Sequence, residues 1–546
     1  MQTFGSSNRG TNDLDEPLPI DRQALVSRHH MDWPLLEGQI PLGNGNFAFN
    51  ADGTGLETTG GNTMCHWCWH NFPLPPGVTQ DELKPWATSD HGRLKGNTTP
   101  PPEPIYNWCR ENPQPLNLGR LGFVDHQGTR LQPADIRMDG RRLDLWTGLL
   151  TSRFTWGGET VVVETCVDPK SDTVAVRIVS RLLEDGRLQV LLDFPAPARG
   201  DGRWMGDFSR VDGHQTGIIR LTEARLELDR TIDDACYQVV LAGTGFVVRP
   251  ASGPASSPHR FVVVANPGND AVDLVCRFGQ KAASDPVSSA SETVQACAEF
   301  WPAFWNGGGA IDLSGSKDAR WMELERRIVL SQYQLAVQSA GDYPPAEVGL
   351  TGTDPWHAKW HFEMIWWHLA HYALWGRWQM ADKALSIYQR LAPLARAYAQ
   401  NFEYCGLMWP KATGPNGHHT GYPPSLALLW KQPHPIFFAE LEYRLRPTAA
   451  TLAKWAEVVR GTAEFMADYP TRHETTGQYD LDPVWPACEG PHVPLQRNTI
   501  FELGYWRVGL EIAQQWRVRS GLERDRHWDH VIAHLAPLPV KDGLYL

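Results

Sequence analysis

Short runs of β-branched and aromatic residues dominate the chain from about residue 31 to residue 285. Clear examples lie at 160–167, 173–179, 237–241 and 260–265. Many of these runs alternate apolar and polar positions, and Gly, Asp, Asn and Pro separate them, which is typical of strands joined by turns. Helical periodicity is scarce over the same residues. We therefore predict a large antiparallel β-sandwich domain over 31–290.

The pattern changes to helical periodicity near residue 290. Residues 291–306 predict a helix that ends in an aromatic cluster before the glycines at 307–309, so 291–319 is interpreted as a helical linker. After residue 320 apolar residues recur every three or four positions, which predicts a helical domain over 320–546. The predicted helices lie at 320–340, 359–376, 378–400, 434–446, 448–469, 499–519 and 523–535.

Three of the predicted helices carry an apolar stripe that we expect to be buried. The stripes are Trp321, Leu324, Ile328 and Leu335; Leu452, Trp455, Val459, Ala463 and Met466; and Phe501, Tyr505, Val508 and Ile512. Long loops at 341–358, 402–432 and 470–497 join the helices. Loops of this length inside a compact domain usually carry function, so the chemistry is sought there.

Composition narrows the class of protein. The chain has 50 basic and 62 acidic residues, a formal net charge of −12, and ordinary fractions of charged (21%) and hydrophobic (42%) residues, which exclude a disordered chain. The acidic balance argues against a nucleic-acid partner, because phosphate binding needs a basic face. No apolar run approaches the roughly 20 residues that span a bilayer, so no membrane partner is expected.

The termini and cysteines suggest a cytoplasmic protein. Residues 1–30 are polar, are predicted to form a loose arm and show no apolar signal region, so secretion is expected only if a leader was removed. The nine cysteines have no disulfide-like spacing. Cys65 to His70 resembles a zinc ligand set but has no second pair, and His357 and His361 lack the glutamate of a zinc peptidase. We expect no metal and no cofactor.

Tryptophan is the one residue in clear excess, with 24 copies. An indole ring offers a flat apolar face that stacks on sugar rings, although a large aromatic core would explain many copies equally well. The long loops and the helix after residue 359 concentrate these rings. The candidate sugar-binding rings are Trp356, Trp360, Trp366, Trp409 and Trp485.

Acidic and basic side chains lie among these tryptophans. Glu489 stands between Trp and Pro residues, where desolvation would raise its pKa as a general acid requires; the alternative is a loop carboxylate that caps a turn. His361 is the candidate residue for orienting or activating water, and a structural histidine is the alternative. The remaining candidate substrate-binding residues are Lys359, Glu363, Lys411 and His492.

Several motifs, in this order along the chain, resemble glycosidases. Residues 40–46 (IPLGNGN) are similar to the sandwich opening of glycoside hydrolase family 95, and 300–306 (FWPAFWN) to the linker before its catalytic helices. Residues 359–367 resemble its first catalytic helix, and 406–410 (GLMWP) resemble that family and, more distantly, family 65. Together they identify a resemblance to the six-hairpin (α/α)6 glycosidase superfamily.

The resemblance implies a β-super-sandwich, a helical linker and an (α/α)6 toroid with inverting, single-displacement chemistry. It also implies an acidic residue where Glu489 stands. Lys359 and His361 replace two asparagines of family 95 and Glu363 replaces a glutamine, so that family's sugar specificity does not carry over. Twelve helices close such a toroid and fewer are predicted here, so we expect it to be incomplete at the C-terminus.

The sequence therefore favours an inverting glycoside hydrolase that acts on an oligosaccharide. Glu489 would protonate the glycosidic oxygen, and water oriented by His361 or by a carboxylate beyond this chain would attack. Two alternatives stay open. One is an inverting disaccharide phosphorylase, in which Lys359 and Lys411 would bind phosphate; the other is an inactive carbohydrate-binding relative. The sugar, the anomer and the oligomeric state are not determined.

Overall fold

The computed structural model describes residues 19–79, 104–200, 204–253, 256–284, 286–353, 356–415, 417, 427–485 and 496–545. Glu489 and His492 lie outside the described residues. Strands dominate the part before residue 280 and helices the part after residue 290.

The strands are β1 (Met31–Asp32), β2 (Ile40–Gly43), β3 (Phe47–Ala51), β4 (Thr63–Cys65), β5 (Trp69–His70), β6 (Gln114–Pro115), β7 (Arg120–Asp125), β8 (Arg137–Asp144), β9 (Leu149–Trp156), β10 (Glu159–Val167), β11 (Thr173–Val179), β12 (Leu188–Asp193), β13 (Gln215–Thr222), β14 (Arg225–Ile232), β15 (Ala235–Thr244), β16 (Phe246–Pro250), β17 (Arg260–Ala265), β18 (Ala271–Gly279), β19 (Trp360–His361), β20 (Ala412–Thr413), β21 (Thr471–Arg472), β22 (Tyr479–Asp480), β23 (Val540–Lys541) and β24 (Leu544–Tyr545).

The helices are α1 (Arg22–Ser27), α2 (Ile105–Glu111), α3 (Ala290–Asn306), α4 (Trp321–Gln338), α5 (Ile365–Leu369), α6 (His371–Leu374), α7 (Trp378–Leu385), α8 (Ile387–Asn401), α9 (His434–Leu445), α10 (Ala449–Asp468), α11 (Ile500–Arg519) and α12 (Arg526–His534).

Two antiparallel sheets form the sandwich. Within the described residues, the larger sheet has nine strands in the order β1-β8-β9-β10-β11-β18-β15-β14-β13, and the smaller has four in the order β16-β17-β12-β7. Phe123 of β7 and Phe154 of β9 meet between the sheets with ring centroids 5.8 Å apart, and both are fully buried. Alternation along the strands turns one face of each sheet into this shared core, as the sequence pattern predicts.

The sandwich opening at 40–46 docks onto the helical domain. Asn46 and Asp342 bond reciprocally: the Asn46 amide donates to Asp342 (3.0 Å), and the Asp342 backbone N–H donates to the Asn46 side-chain oxygen (2.7 Å). Gly45, directly before Asn46, has φ +92°, and a Cβ there would lie 2.7 Å from the Ala340 carbonyl carbon. The motif is therefore a close interdomain contact that requires glycine.

The N-terminal segment is docked in its described part. In α1, Arg22 donates to the backbone oxygens of Trp305, Gly307 and Gly308 at the end of α3. Just after α1, Arg28 and His29 each lie 2.7 Å from Glu325, a fully buried carboxylate of α4. The arm predicted to be loose is thus a short helix with two anchors from residue 19 onward.

The predicted stripes on the helices meet different outcomes. In α10, Trp455, Val459, Ala463 and Met466 are buried as predicted and Leu452 is half-buried. Thr448 caps the helix by accepting from the Thr451 N–H. The α4 stripe was wrong, because Leu324 is 54% exposed while Glu325 and Tyr333 of another face are buried. The α11 stripe was also wrong in part.

In α11, Phe501 and Val508 are each 49% exposed, whereas Leu503, Trp506 and Leu510 are buried. Trp506 also donates its indole N–H to the Met466 carbonyl at 2.7 Å, which fixes the buried face of the helix against α10. None of the described helices is long and apolar enough to cross a membrane.

Candidate active site

A short β-ladder forms the base of the candidate site. Strand β19 pairs with β20, His361 lies opposite Ala412, and the Phe362 N–H donates to the Lys411 carbonyl at 2.7 Å. The helix predicted to begin at residue 359 was therefore wrong over its first six residues, because residues 360–362 pair with 411–413 and α5 begins only at Ile365. Successive residues of a strand face opposite sides, so Trp360 and His361 diverge.

Glu363 is the centre of the charged cluster. Its carboxylate oxygen Oε1 lies 3.2 Å from His361 Nδ1 and 3.4 Å from Lys411 Nζ, and the side chain is only 2% exposed. Glu347 Oε1 also lies 3.8 Å from His361 Nδ1. Two carboxylates thus converge on one imidazole nitrogen, and the ammonium of Lys411 lies against the same oxygen of Glu363 as this nitrogen.

Electrostatics keeps Glu363 ionised. Burial alone would raise the pKa of this carboxyl, but the nearby His361 and Lys411 outweigh burial and lower its pKa below the ordinary range. A carboxylate only accepts hydrogen bonds, so His361 carries its proton on Nδ1 and, when neutral, its lone pair on Nε2. Among the described residues no donor reaches Oε2 of Glu363, which is buried.

Two indole rings flank the ammonium of Lys411. Nζ lies 5.8 Å from the centroid of Trp356 and 5.2 Å from that of Trp485. Trp356 is 43% exposed and its ring centroid lies 5.8 Å from that of His361, whereas Trp485 is buried. A partly exposed indole therefore lies beside the charged cluster, an arrangement suited to a sugar ring.

His434 supports Glu363 from behind. Its Nε2 donates to the Glu363 carbonyl oxygen at 3.0 Å, because a carbonyl can only accept. Its Nδ1 therefore accepts from the Tyr505 hydroxyl, 2.9 Å away on α11. Burial lowers the pKa of His434 to about 4, so the ring is neutral at physiological pH and its tautomer is fixed. The pair holds the Glu363 backbone between α9 and α11.

Three predicted sugar-binding residues are turned away from this cluster. Trp360 is 2% exposed and packs on Tyr343 (ring centroids 4.9 Å apart) and on Trp69 of the sandwich (6.0 Å). Lys359 is equally buried and donates from Nζ to the Pro113 carbonyl. Trp409 is fully buried and donates to Thr462 at 3.0 Å. Their rings and ammonium are covered by protein, so they form the support of the site.

The other predicted residues divide between the surface and the undescribed segments. Trp366 is half-buried at the start of α5, where it contacts Trp367 and Phe437. Glu489 and His492 fall in 486–495, outside the described residues. The structure therefore brings together His361, Glu363, Lys411, Trp356 and Trp485 from the predicted set.

Glu347 is the member of the cluster that sequence reasoning missed. It follows Pro344-Pro345 in a stretch without a recognisable motif. The available signal was the length of the 341–358 loop, which indicates function without naming a residue. In the part of the chain that the structure describes, no group of three or more His, Cys, Asp or Glu residues could hold a metal ion.

Comparisons with known proteins agree with this architecture. No family model matches the chain, and no curated protein matches it significantly. Among solved structures, a protein of the human microbiome assigned as a kojibiose phosphorylase aligns with a TM-score of 0.64 and 11% identity, covering 92% of this chain and 68% of that one.

Two further structures align less well. A bacterial glucoamylase complexed with acarbose has a TM-score of 0.45 and 11% identity, covering 76% of this chain and 60% of that one. A family GH92 alpha-mannosidase from Bacteroides thetaiotaomicron has a TM-score of 0.33 and 9% identity, covering 77% and 55%. Neither of these two likenesses carries an argument.

The first of these likenesses establishes the fold. The phosphorylase-assigned protein aligns over 92% of this chain, so the two proteins share a fold. The predicted class, an N-terminal antiparallel β-sandwich followed by an (α/α)6-type helical domain, is confirmed.

Proposed function

We propose that this protein is a carbohydrate-active enzyme, an inverting glycoside hydrolase that cleaves an O-glycosidic bond in an oligosaccharide. The observation that carries the proposal is the cluster of Glu363, His361 and Lys411 beside the partly exposed Trp356. Buried charged groups next to an exposed indole match a sugar ring, which has polar edges and apolar faces.

The proposed mechanism assigns one role to each group. Glu489 protonates the departing glycosidic oxygen while water attacks the anomeric carbon from the opposite face. His361 takes the proton of that water on Nε2, and Glu363, 3.2 Å from Nδ1, stabilises the imidazolium that results. Trp356 stacks on the sugar ring.

A phosphorylase is the second candidate, and the name of the aligned human-microbiome protein favours it. Phosphorolysis needs cations that bind phosphate beside the sugar. Both lysines suggested for that role are engaged elsewhere: Lys359 is buried against Pro113, and Lys411 is paired with Glu363 between two indoles. Because both ammonium groups are already engaged by protein groups, water is favoured over phosphate as the nucleophile.

Product analysis separates these functions. The purified protein is incubated with 4-nitrophenyl glycosides and disaccharides, with and without inorganic phosphate, and the first-formed anomer is followed by proton NMR. We expect free sugar of inverted configuration in phosphate-free buffer. Sugar 1-phosphate formed only when phosphate is present would make the enzyme a phosphorylase. Binding to the panel without turnover would indicate an inactive relative.

A further inference from the structure

The segment before the candidate active site has a strained backbone. His357 and Ala358 adopt φ values of +61° and +56°, in the left-handed region that non-glycine residues rarely occupy. Each such residue costs roughly 1–3 kcal/mol and persists only where its surroundings hold it. Trp356 lies just before this strained pair and His361 just after it, so the pair sets the direction of both side chains.

A tryptophan from the sandwich shares a buried cluster with Ala358, the second residue of this strained pair. Trp204 is 2% exposed and belongs to a small buried cluster with Ala48, Met64, Leu350 and Ala358. Ala358 is itself 6% exposed. The cluster therefore joins Trp204 to Leu350 and Ala358, which lie on either side of Trp356 in the sequence.

Hydrogen bonds add to this packing. The buried side-chain amide of Asn62 donates to the carbonyl of Trp204 (3.4 Å) and to the carbonyl of Thr351 (3.3 Å). One sandwich residue thus ties Trp204 and the loop of the helical domain to the same point. The Asn62 side-chain oxygen accepts from Asn50 at 3.1 Å, which fixes the amide in this orientation.

The segment that carries Trp204 is anchored along its length. Asp207 exchanges two backbone hydrogen bonds with Ala196, at 2.8 and 3.0 Å. Arg260 donates to the Phe208 carbonyl at 2.9 Å, and the guanidinium of Arg120 lies 3.6 Å from the Phe208 ring centroid. These contacts fix the backbone a few residues after Trp204.

We propose that Trp204 is a positioning residue for the candidate active site, in which it fixes the strained pair His357–Ala358 and thereby the placement of Trp356 and His361. In this proposal Trp204 acts through Leu350, Thr351 and Ala358. The positioning role follows from geometry alone. That the positioned site is catalytic rests on the proposed function.

Hydrogen exchange tests the positioning without any substrate. The full chain with Trp204→Ala, with Trp204→Phe and with the control Phe154→Ala is followed by mass spectrometry of peptides covering 346–362. Phe154 is a fully buried sandwich residue outside the Trp204 cluster, so its loss lowers overall stability without touching the segment. The Lys359 and Phe362 amides, bonded to Trp356 and Lys411, report on the segment.

We expect Trp204→Ala to accelerate exchange in 346–362 by at least about tenfold relative to the rest of the protein, since local opening sets protection there. Trp204→Phe should lie between this variant and the wild type, and Phe154→Ala should match the wild type in this peptide. Equal exchange in Trp204→Ala and the wild type, or equal acceleration in Phe154→Ala, would overturn the proposal.

Turnover gives a second, separate readout. With an active glycoside from the panel, Trp204→Ala should lower kcat at least about tenfold, because misplaced catalytic groups slow the chemical step. Trp204→Phe should restore most of the rate. If no glycoside is turned over by the wild type, the proposed function fails, while the exchange result still decides whether Trp204 positions the segment.

Discussion

Removing the ammonium of Lys411 should destabilise the protein through Glu363. The two charges lie 3.4 Å apart, and the side chains are 12% and 2% exposed. At an effective dielectric constant of about 20, unit charges at this distance attract by about 5 kcal/mol. Loss of one partner from a buried pair usually costs about 3–5 kcal/mol, because the remaining charge stays desolvated. Lys411→Met should therefore lower the free energy of unfolding by about 3 kcal/mol.

A double-mutant cycle isolates the pair. Glu363→Gln removes the charge but keeps the shape, so Lys411→Met should cost much less in that background, with a coupling of about 2–4 kcal/mol. The contacts of Lys411 with Trp356 and Trp485 are common to both backgrounds and cancel. The assay is urea unfolding at pH 7, followed by circular dichroism and by tryptophan fluorescence, whose coincidence justifies a single transition.

The pH dependence gives the same pair an independent check. The pKa of Glu363 is lowered in the folded state, so its contribution to stability is present above the unfolded pKa and is lost as pH falls through the folded one. Without Lys411 that pKa should rise and acid unfolding should begin at higher pH. Additive effects in the cycle, or a cost of Lys411→Met below about 0.5 kcal/mol, would refute the assignment of a buried ion pair.

Three further predictions concern stability. Burial lowers the pKa of both His434 and His214 to about 4 from an ordinary value of 6.5. Between these two pH values the unfolded chain binds more protons than the folded protein, so the urea concentration at the unfolding midpoint should fall as the pH is lowered from 6.5 to 4. A constant midpoint would contradict this. Thr448→Ala should cost about 1 kcal/mol in thermal unfolding through loss of the α10 cap, whereas Thr448→Ser should cost almost nothing, and equal costs would exclude the cap. Arg22→Ala removes the anchors of α1 on α3, so limited proteolysis should cleave near residue 28 faster than in the wild type; an unchanged rate would mean that other contacts hold the arm.

The parts of the fold that sequence predicted best are those in which local pattern and tertiary burial agree. The helix predicted over 448–469 is found as α10 (Ala449–Asp468), and four of the five residues of its predicted apolar stripe are buried. In α4 the buried face contains Glu325, whose charge is compensated by Arg28 and His29 from a distant segment. A stripe counted from apolar residues cannot anticipate that compensation.

The site was predicted in part for a similar reason. The density of Trp, His and carboxylate in long loops pointed to His361, Glu363, Lys411 and Trp356, and these residues do converge. The same density also selected Trp360 and Trp409, which are buried. Residue type alone does not distinguish an indole that faces a sugar from an indole in the core. The side of β19 on which the Trp360 ring lies, for example, depends on pairing with β20, about fifty residues further along the chain.

Glu489 as the general acid is the claim on which the proposed hydrolysis depends most. The direct measurement compares Glu489→Gln with wild type on aryl glycosides whose leaving groups range from poor to good, using Glu474→Gln in the same long loop as the matched control. We expect Glu489→Gln to lose about 10²–10⁴-fold in turnover for poor leaving groups and far less for 2,4-dinitrophenol, which departs without protonation. Glu474→Gln should behave as the wild type. Wild-type turnover of Glu489→Gln on poor leaving groups, or a loss that is the same for every leaving group, would contradict the account.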